Sequence, residues 1–149
     1  MKTLILAVDN SPVAKNVTGL AGEQALAQQA SVLVLCCVDP TYSSCNEPFE
    51  IDAGEDPGDF GAALDEQNTA EMVVRHALAA LFRDGVKARG VVIAGDAAET
   101  IVSQANKYQA SMIIMGRRHL SPFNRLLKGS VSAAVIERAN CPVLVDVRA

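Results

Sequence analysis

The fold class predicted by this sequence is an open parallel α/β sheet with helices on both faces, three layers in all. Three observations predict it. Apolar runs of four to seven residues recur five times along the 149 residues. They are continuous rather than alternating, which is how strands covered on both faces read. Segments with helical apolar spacing lie between them, and a strand-helix-strand succession closes by right-handed crossovers into a parallel sheet.

The elements follow in order. "TLILAV" (Thr3–Val8) is the first strand. Ser11 then reads as an N-cap with Pro12 at the first helical position, and Val13, Val17, Leu20 and Ala21 mark one face of a helix over Pro12–Gln29. "SVLVLCCV" (Ser31–Val38) is the second strand. The next stretch, 40–61, is acidic and rich in Pro and Gly, and is expected to be a long surface loop, either solvated or a lid or partner contact. Met72, Val73, His76 and Ala80 set the period of a helix over Leu64–Phe82, and Gly85 stops it. "GVVIAG" (Gly90–Gly95) is the third expected strand. Asp96 and Glu99 resemble a capping box for a helix over Ala97–Tyr108. "SMIIMG" (Ser111–Gly116) is the fourth strand. A last helix starts at Ser130 and ends near Asn140, before the fifth strand "PVLVDV" (Pro142–Val147). The chain reads as one domain over residues 1–149.

Composition narrows the function. Half the residues are hydrophobic and 4% aromatic, leaving little on which bases could stack, so single-stranded nucleic acid is disfavoured. The net charge is −4, unevenly placed. Eleven acids and no Lys or Arg lie between Asn16 and Val74, whereas five basic residues and no acid lie between Thr100 and Ile136. One local basic segment in an acidic chain suits a small anion better than a DNA backbone, which needs a broader basic face. The four cysteines form no C-x-x-C pair and have no metal-ligand spacing with His76 or His119, as befits reduced structural thiols in the cytoplasm. Cys36 and Cys37 should face opposite sides of their strand. "MKTLILAVDN" is too short an apolar run for a signal peptide or a membrane span.

The basic segment is "MGRRHLSPFNRLLKGS", Met115–Ser130. It joins the end of a strand to the start of a helix. Free backbone N–H groups can face an anion in the turn after Gly116 and again at the helix start around Ser130–Ser132. Glycine permits close backbone approach, serine hydroxyls add donors, and the helix dipole favours negative charge by about 0.3–1 kcal/mol. Arg117, Arg118, Arg125 and Lys128 can neutralise a phosphate chain.

The spacing Gly116-x2-His119-x9-Gly129-Ser130, the short helix and "NCPVLV" after it, the start "ILAVDNS" and the middle "GDAAETIVSQANKYQASMIIMG" together resemble the universal stress protein family. The resemblance covers essentially the whole chain. It implies a Rossmann-like sheet of five strands in the order 3-2-1-4-5, a cytoplasmic homodimer joined through the last strand, and a role in stress response or signalling. In one branch of the family G-x2-G-x9-G-[ST] binds ATP. That branch implies adenine near Ala7, Asp9 and Val38, and ribose and phosphates near Met115, Gly116, Arg117, Arg118 and His119, then Gly129, Ser130, Val131 and Ser132. The implied ligand is ATP, AMP or another adenine nucleotide, with or without Mg. Asp9 has a second reading, as a group that helps cap the first helix. Here the family's second glycine is His119; a positive φ at that position costs a non-glycine residue about 1–2 kcal/mol.

Other classes compete. A dimeric stress scaffold without nucleotide keeps the same elements. An adenylating enzyme of the adenine-nucleotide α-hydrolase fold would carry a glycine- and serine-rich loop after the first strand, where this chain has "VDNSPVAK". A phosphorylation-switched receiver would need an acidic pair there and a lysine after the last strand. No G-x4-G-K-[ST] loop or acidic metal cluster marks a hydrolase, so a binding protein with at most slow ATP hydrolysis is expected. A further protein partner stays open, and neither nucleic acid nor membrane insertion is expected.

Overall fold

The computed structural model describes residues 1–39, 48–52, 66–117 and 131–148. Six strands, β1 (Lys2–Ala7), β2 (Ala30–Val38), β3 (Phe49–Asp52), β4 (Ala88–Ala94), β5 (Met112–Gly116) and β6 (Val143–Asp146), form one sheet in the order β3-β4-β2-β1-β5-β6. Four described helices, α1 (Ala14–Gln28), α2 (Glu66–Arg83), α3 (Ala97–Lys107) and α4 (Val131–Arg138), cover its two faces.

The expected five-stranded, wholly parallel sheet in the order 3-2-1-4-5 is therefore corrected. The added strand, β3, lies inside the stretch 40–61 that reads as loop, and it pairs antiparallel with β4 at the sheet edge. The other five strands run parallel, in the order β4-β2-β1-β5-β6. Sequence reading passes over β3 because it is four residues long and two of them, Glu50 and Asp52, are acids. Its one inward side chain, Ile51, is 1% exposed, and its pairing partner is 39 positions away in register, Ile51 with Gly90. Tertiary pairing, not local pattern, makes this strand.

Alternation along the central strands builds two cores. On one face Leu4, Leu6, Val32, Val34 and Ile114 meet Val17, Ala21 and Ala25 of α1 and Val74, Leu78 and Leu81 of α2. On the other, Ile5, Leu33, Leu35 and Ile113 meet Ile101 and Ala105 of α3 and Val135 of α4. Cys36 belongs to the first core and Cys37 packs on the second, as adjacent strand residues must. At Gly90 an added Cβ would overlap Cγ1 of Val74, so the missing side chain is what lets α2 settle on β4.

Helix ends explain most element boundaries. The Asp96 carboxylate accepts the Glu99 N–H at 2.9 Å and starts α3. Gly85, at φ 78°, ends α2: Val86 N–H bonds to Leu81 O at 2.9 Å and Gly85 N–H to Phe82 O at 3.1 Å, a Schellman pair. Gln109, at φ 50°, ends α3 in the same way, through Ala110 N–H to Ala105 O at 2.9 Å and Gln109 N–H to Asn106 O at 3.2 Å. The start of α1 differs from expectation. Ser11 does not cap the helix directly: its Oγ accepts the Val13 N–H at 3.2 Å and its carbonyl accepts the Ala14 N–H at 3.1 Å. A tight turn through Pro12 and Val13 thus precedes α1, and it reaches over the carboxyl ends of the strands.

Candidate functional site

In this sheet β1 has β2 on one side and β5 on the other: α1 carries the chain from β1 to β2 over one face, and α3 carries it from β4 to β5 over the other. A crevice opens beyond the strand ends at such a switch point. Here it holds a cavity of about 540 Å³, a size that suits a small organic ligand.

Seven elements supply its walls. Ala7 ends β1, and Asp9 and the turn Asn10–Val13 follow it; Cys36 and Cys37 come from β2, and Thr69 and Ala70 from the first turns of α2. Ala97 and Ile101 of α3 close one side, and Met115, Gly116, Arg117 and Val131 close another. Helix starts converge on this space, since Ala14, Ala97 and Val131 are the first residues of α1, α3 and α4. Their orphan N–H groups and dipoles favour negative charge. The apolar walls, from Val13, Val17, Leu35 and Ile101, suit a flat ring, while Asp9, Ser11, Thr69 and Arg117 supply polar groups. The Cys37 thiol is tied to the α3 start by a donated contact to Ala97 O at 3.9 Å.

Of the residues picked out in the sequence, Ala7, Asp9, Met115, Gly116, Arg117 and Val131 share this cavity. Val38 does not line it; its side chain is 1% exposed and belongs to the α1 and α2 core. Ser132, 5% exposed, does not line it either. Arg118, His119, Gly129 and Ser130 lie outside the described residues, as do Arg125 and Lys128. Sequence reading missed Thr69 and Ala70, because no local pattern shows that α2 reaches across the strand ends. It also missed Cys37, although the alternation that sends Val38 into the core sends its neighbour to the other face.

The end of β5 is held from its neighbour. Gly116 lies in register with Asp146 of β6, and Arg117 donates its backbone N–H to Asp146 O at 3.2 Å. The Asp146 side chain, 4% exposed, is held by Arg148 through Nε to Oδ1 at 2.9 Å, Nη2 to Oδ2 at 2.9 Å, and the Arg148 backbone N–H to Oδ1 at 3.0 Å. The side-chain bonds from Arg148 keep the Asp146 carboxyl below its ordinary range, against a smaller upward push from burial. Among the described residues no group of three or more His, Cys, Asp or Glu could hold a metal ion, and no helix is long and apolar enough to cross a membrane.

The family model described as universal stress protein family matches residues 1–148. The chain belongs to that family. A Thermus aquaticus relative, "universal stress protein in QAH/OAS sulfhydrylase 3'region", is 34% identical over 146 residues, 97% of each chain. Solved structures share the fold of this universal stress protein. One, a universal stress protein in complex with cAMP, superposes with a TM-score of 0.73 at 19% identity, over 99% of this chain and 98% of that one. Another, from Archaeoglobus fulgidus in complex with dAMP, superposes with a TM-score of 0.68 at 21% identity, over 97% of each chain.

Proposed function

We propose that this universal stress protein binds an adenine nucleotide in the switch-point cavity, with ATP as the favoured ligand. The observation that carries the reading is the convergence of Asp9, Gly116, Arg117 and Val131 on one space of nucleotide size. The cAMP and dAMP complexes of structurally similar proteins support it. The base occupies the apolar part near Ala7 and Asp9, and the sugar lies toward Met115 and Gly116. The phosphates follow the chain from Met115, Gly116 and Arg117 through Arg118 and His119, and end on Gly129, Ser130 and the start of α4. Mg, where it accompanies ATP, is held by the phosphates. The protein is a binder rather than a catalyst, acting in the cytoplasm in stress response or signalling, and it pairs through β6, which is the last strand of the sheet among the described residues.

Calorimetric titration with ATP, AMP and cAMP, with and without Mg, tests the site. Saturable binding is expected, and Gly129→Leu should remove it, because a side chain at the loop's last glycine blocks close approach of phosphate. Folded protein that gives no heat at millimolar nucleotide would leave the scaffold reading in its place.

A further inference from the structure

We propose that Asp146 and Arg148 form a clasp that positions the start of the phosphate-binding loop, although neither side chain lines the cavity. The proposal rests on the nucleotide reading above. An ion pair two residues apart, with Arg148 71% exposed, would ordinarily contribute little. This one differs because Asp146 is buried and Arg148 supplies it with three hydrogen bonds, two from the guanidinium and one from the backbone. A planar fork fixes both the direction and the distance of the carboxylate. Without the Arg148 guanidinium the carboxylate loses two hydrogen bonds and the side chain that covers it, and its direction is no longer fixed.

That loosens the end of β6, and one bond links it to the cavity. The Asp146 carbonyl accepts the Arg117 N–H at 3.2 Å, the first amide beyond β5. Arg117 lines the cavity. Gly116, opposite Asp146, has no side chain to brace the same spot. The clasp therefore fixes the Arg117 backbone where it leaves β5 and meets the cavity. Arg148 is a positioning residue, acting through Asp146 and Arg117.

Two measurements on the full chain test it, with Arg148→Ala and Arg148→Lys as variants. Amide exchange followed by NMR should show Arg117 exchanging at least about tenfold faster in Arg148→Ala. The Ile113 amide, held by Pro142 O at 2.9 Å lower on the same strand pair, should be unchanged. Equal acceleration at both sites would mean general loosening of β6, and no acceleration at Arg117 would mean no clasp; either overturns the proposal. In titration with AMP, Arg148→Ala should bind about tenfold more weakly than the parent, and Arg148→Lys should recover part of the loss. Equal affinities overturn the coupling. A parent protein that binds no AMP overturns the reading of the cavity, and the exchange measurement then decides the clasp alone.

Discussion

Gln109 holds a left-handed conformation at φ 50° that a glycine would hold at no steric cost. Its place at the end of α3 is fixed by the two bonds that close the helix, so Gln109→Gly should keep the geometry and raise stability by about 0.5–1 kcal/mol. Urea denaturation is the check, and a loss of stability would show that the Gln109 side chain contributes more than its backbone strain removes. Asp146 gives a prediction in pH. Its native pKa is depressed, chiefly by the Arg148 side chain. The stability it contributes is therefore complete above the ordinary aspartate value of about 3.9, and is lost as pH falls through the lower native value. The difference in Tm between the parent and Arg148→Ala should accordingly be present near pH 6 and close as pH is taken toward 2. A difference that stays constant down to that pH would detach the effect from the carboxylate. At this scale the sequence is informative where chemistry and backbone coincide. Gly116 and Arg117 stand out because a glycine and a basic residue after an apolar run have few other uses, whereas the inward facing of the Val38 side chain depends on strand register, which a run of seven apolar residues conceals.

Gly90 shows how an element can depend on an absent side chain. It sits in β4 beneath Val74 and Leu78 of α2, with Ile51 of β3 beyond. Gly90→Ala should cost about 1–3 kcal/mol, since Val74 must move and α2 with it. Val74→Ala in the same chain should return much of that loss; if it does not, the closeness of the two elements is not the cause. Among the described residues the helix ends are legible within about two residues, because they carry explicit signals in Asp96, Gly85 and Pro142; the expected starts at Leu64 and Ser130 lie outside the described residues. The exception is the start of α1, where Ser11 and Pro12 carry the right signal and the chain uses it one turn early, to build the wall of the cavity. Strand β3 is illegible for a different reason. Its apolar content is one buried residue, and its stability comes from a partner that local sequence does not reveal.

For the whole molecule, a parallel sheet follows from continuous apolar runs and right-handed crossovers, whereas the strand order that puts a switch point at β1 is an implication of the family resemblance. Together they place the cavity beyond the carboxyl ends of the strands. Its depth was not, since Thr69 and Ala70 reach it only through the packing of α2. Light scattering after size exclusion should give the mass of two chains. A lysine in place of Val145, which lies in β6 and is in register with Met115, should shift that mass toward one chain while the fold persists. An unchanged mass would place the contact elsewhere.

The small strand β3 bears on how such pairing ends. A sheet with two bare apolar edges can add copies at both and grow without limit. This one ends on one side in four residues, of which Glu50 and Asp52 carry negative charge and oppose a second copy laid against them. Among the described residues that leaves β6, whose one acid, Asp146, is buried, as the edge without such charge. If two chains pair there, as proposed, the acidic strand is a terminator: it disfavours growth at the far edge and so favours a closed pair over a fibre.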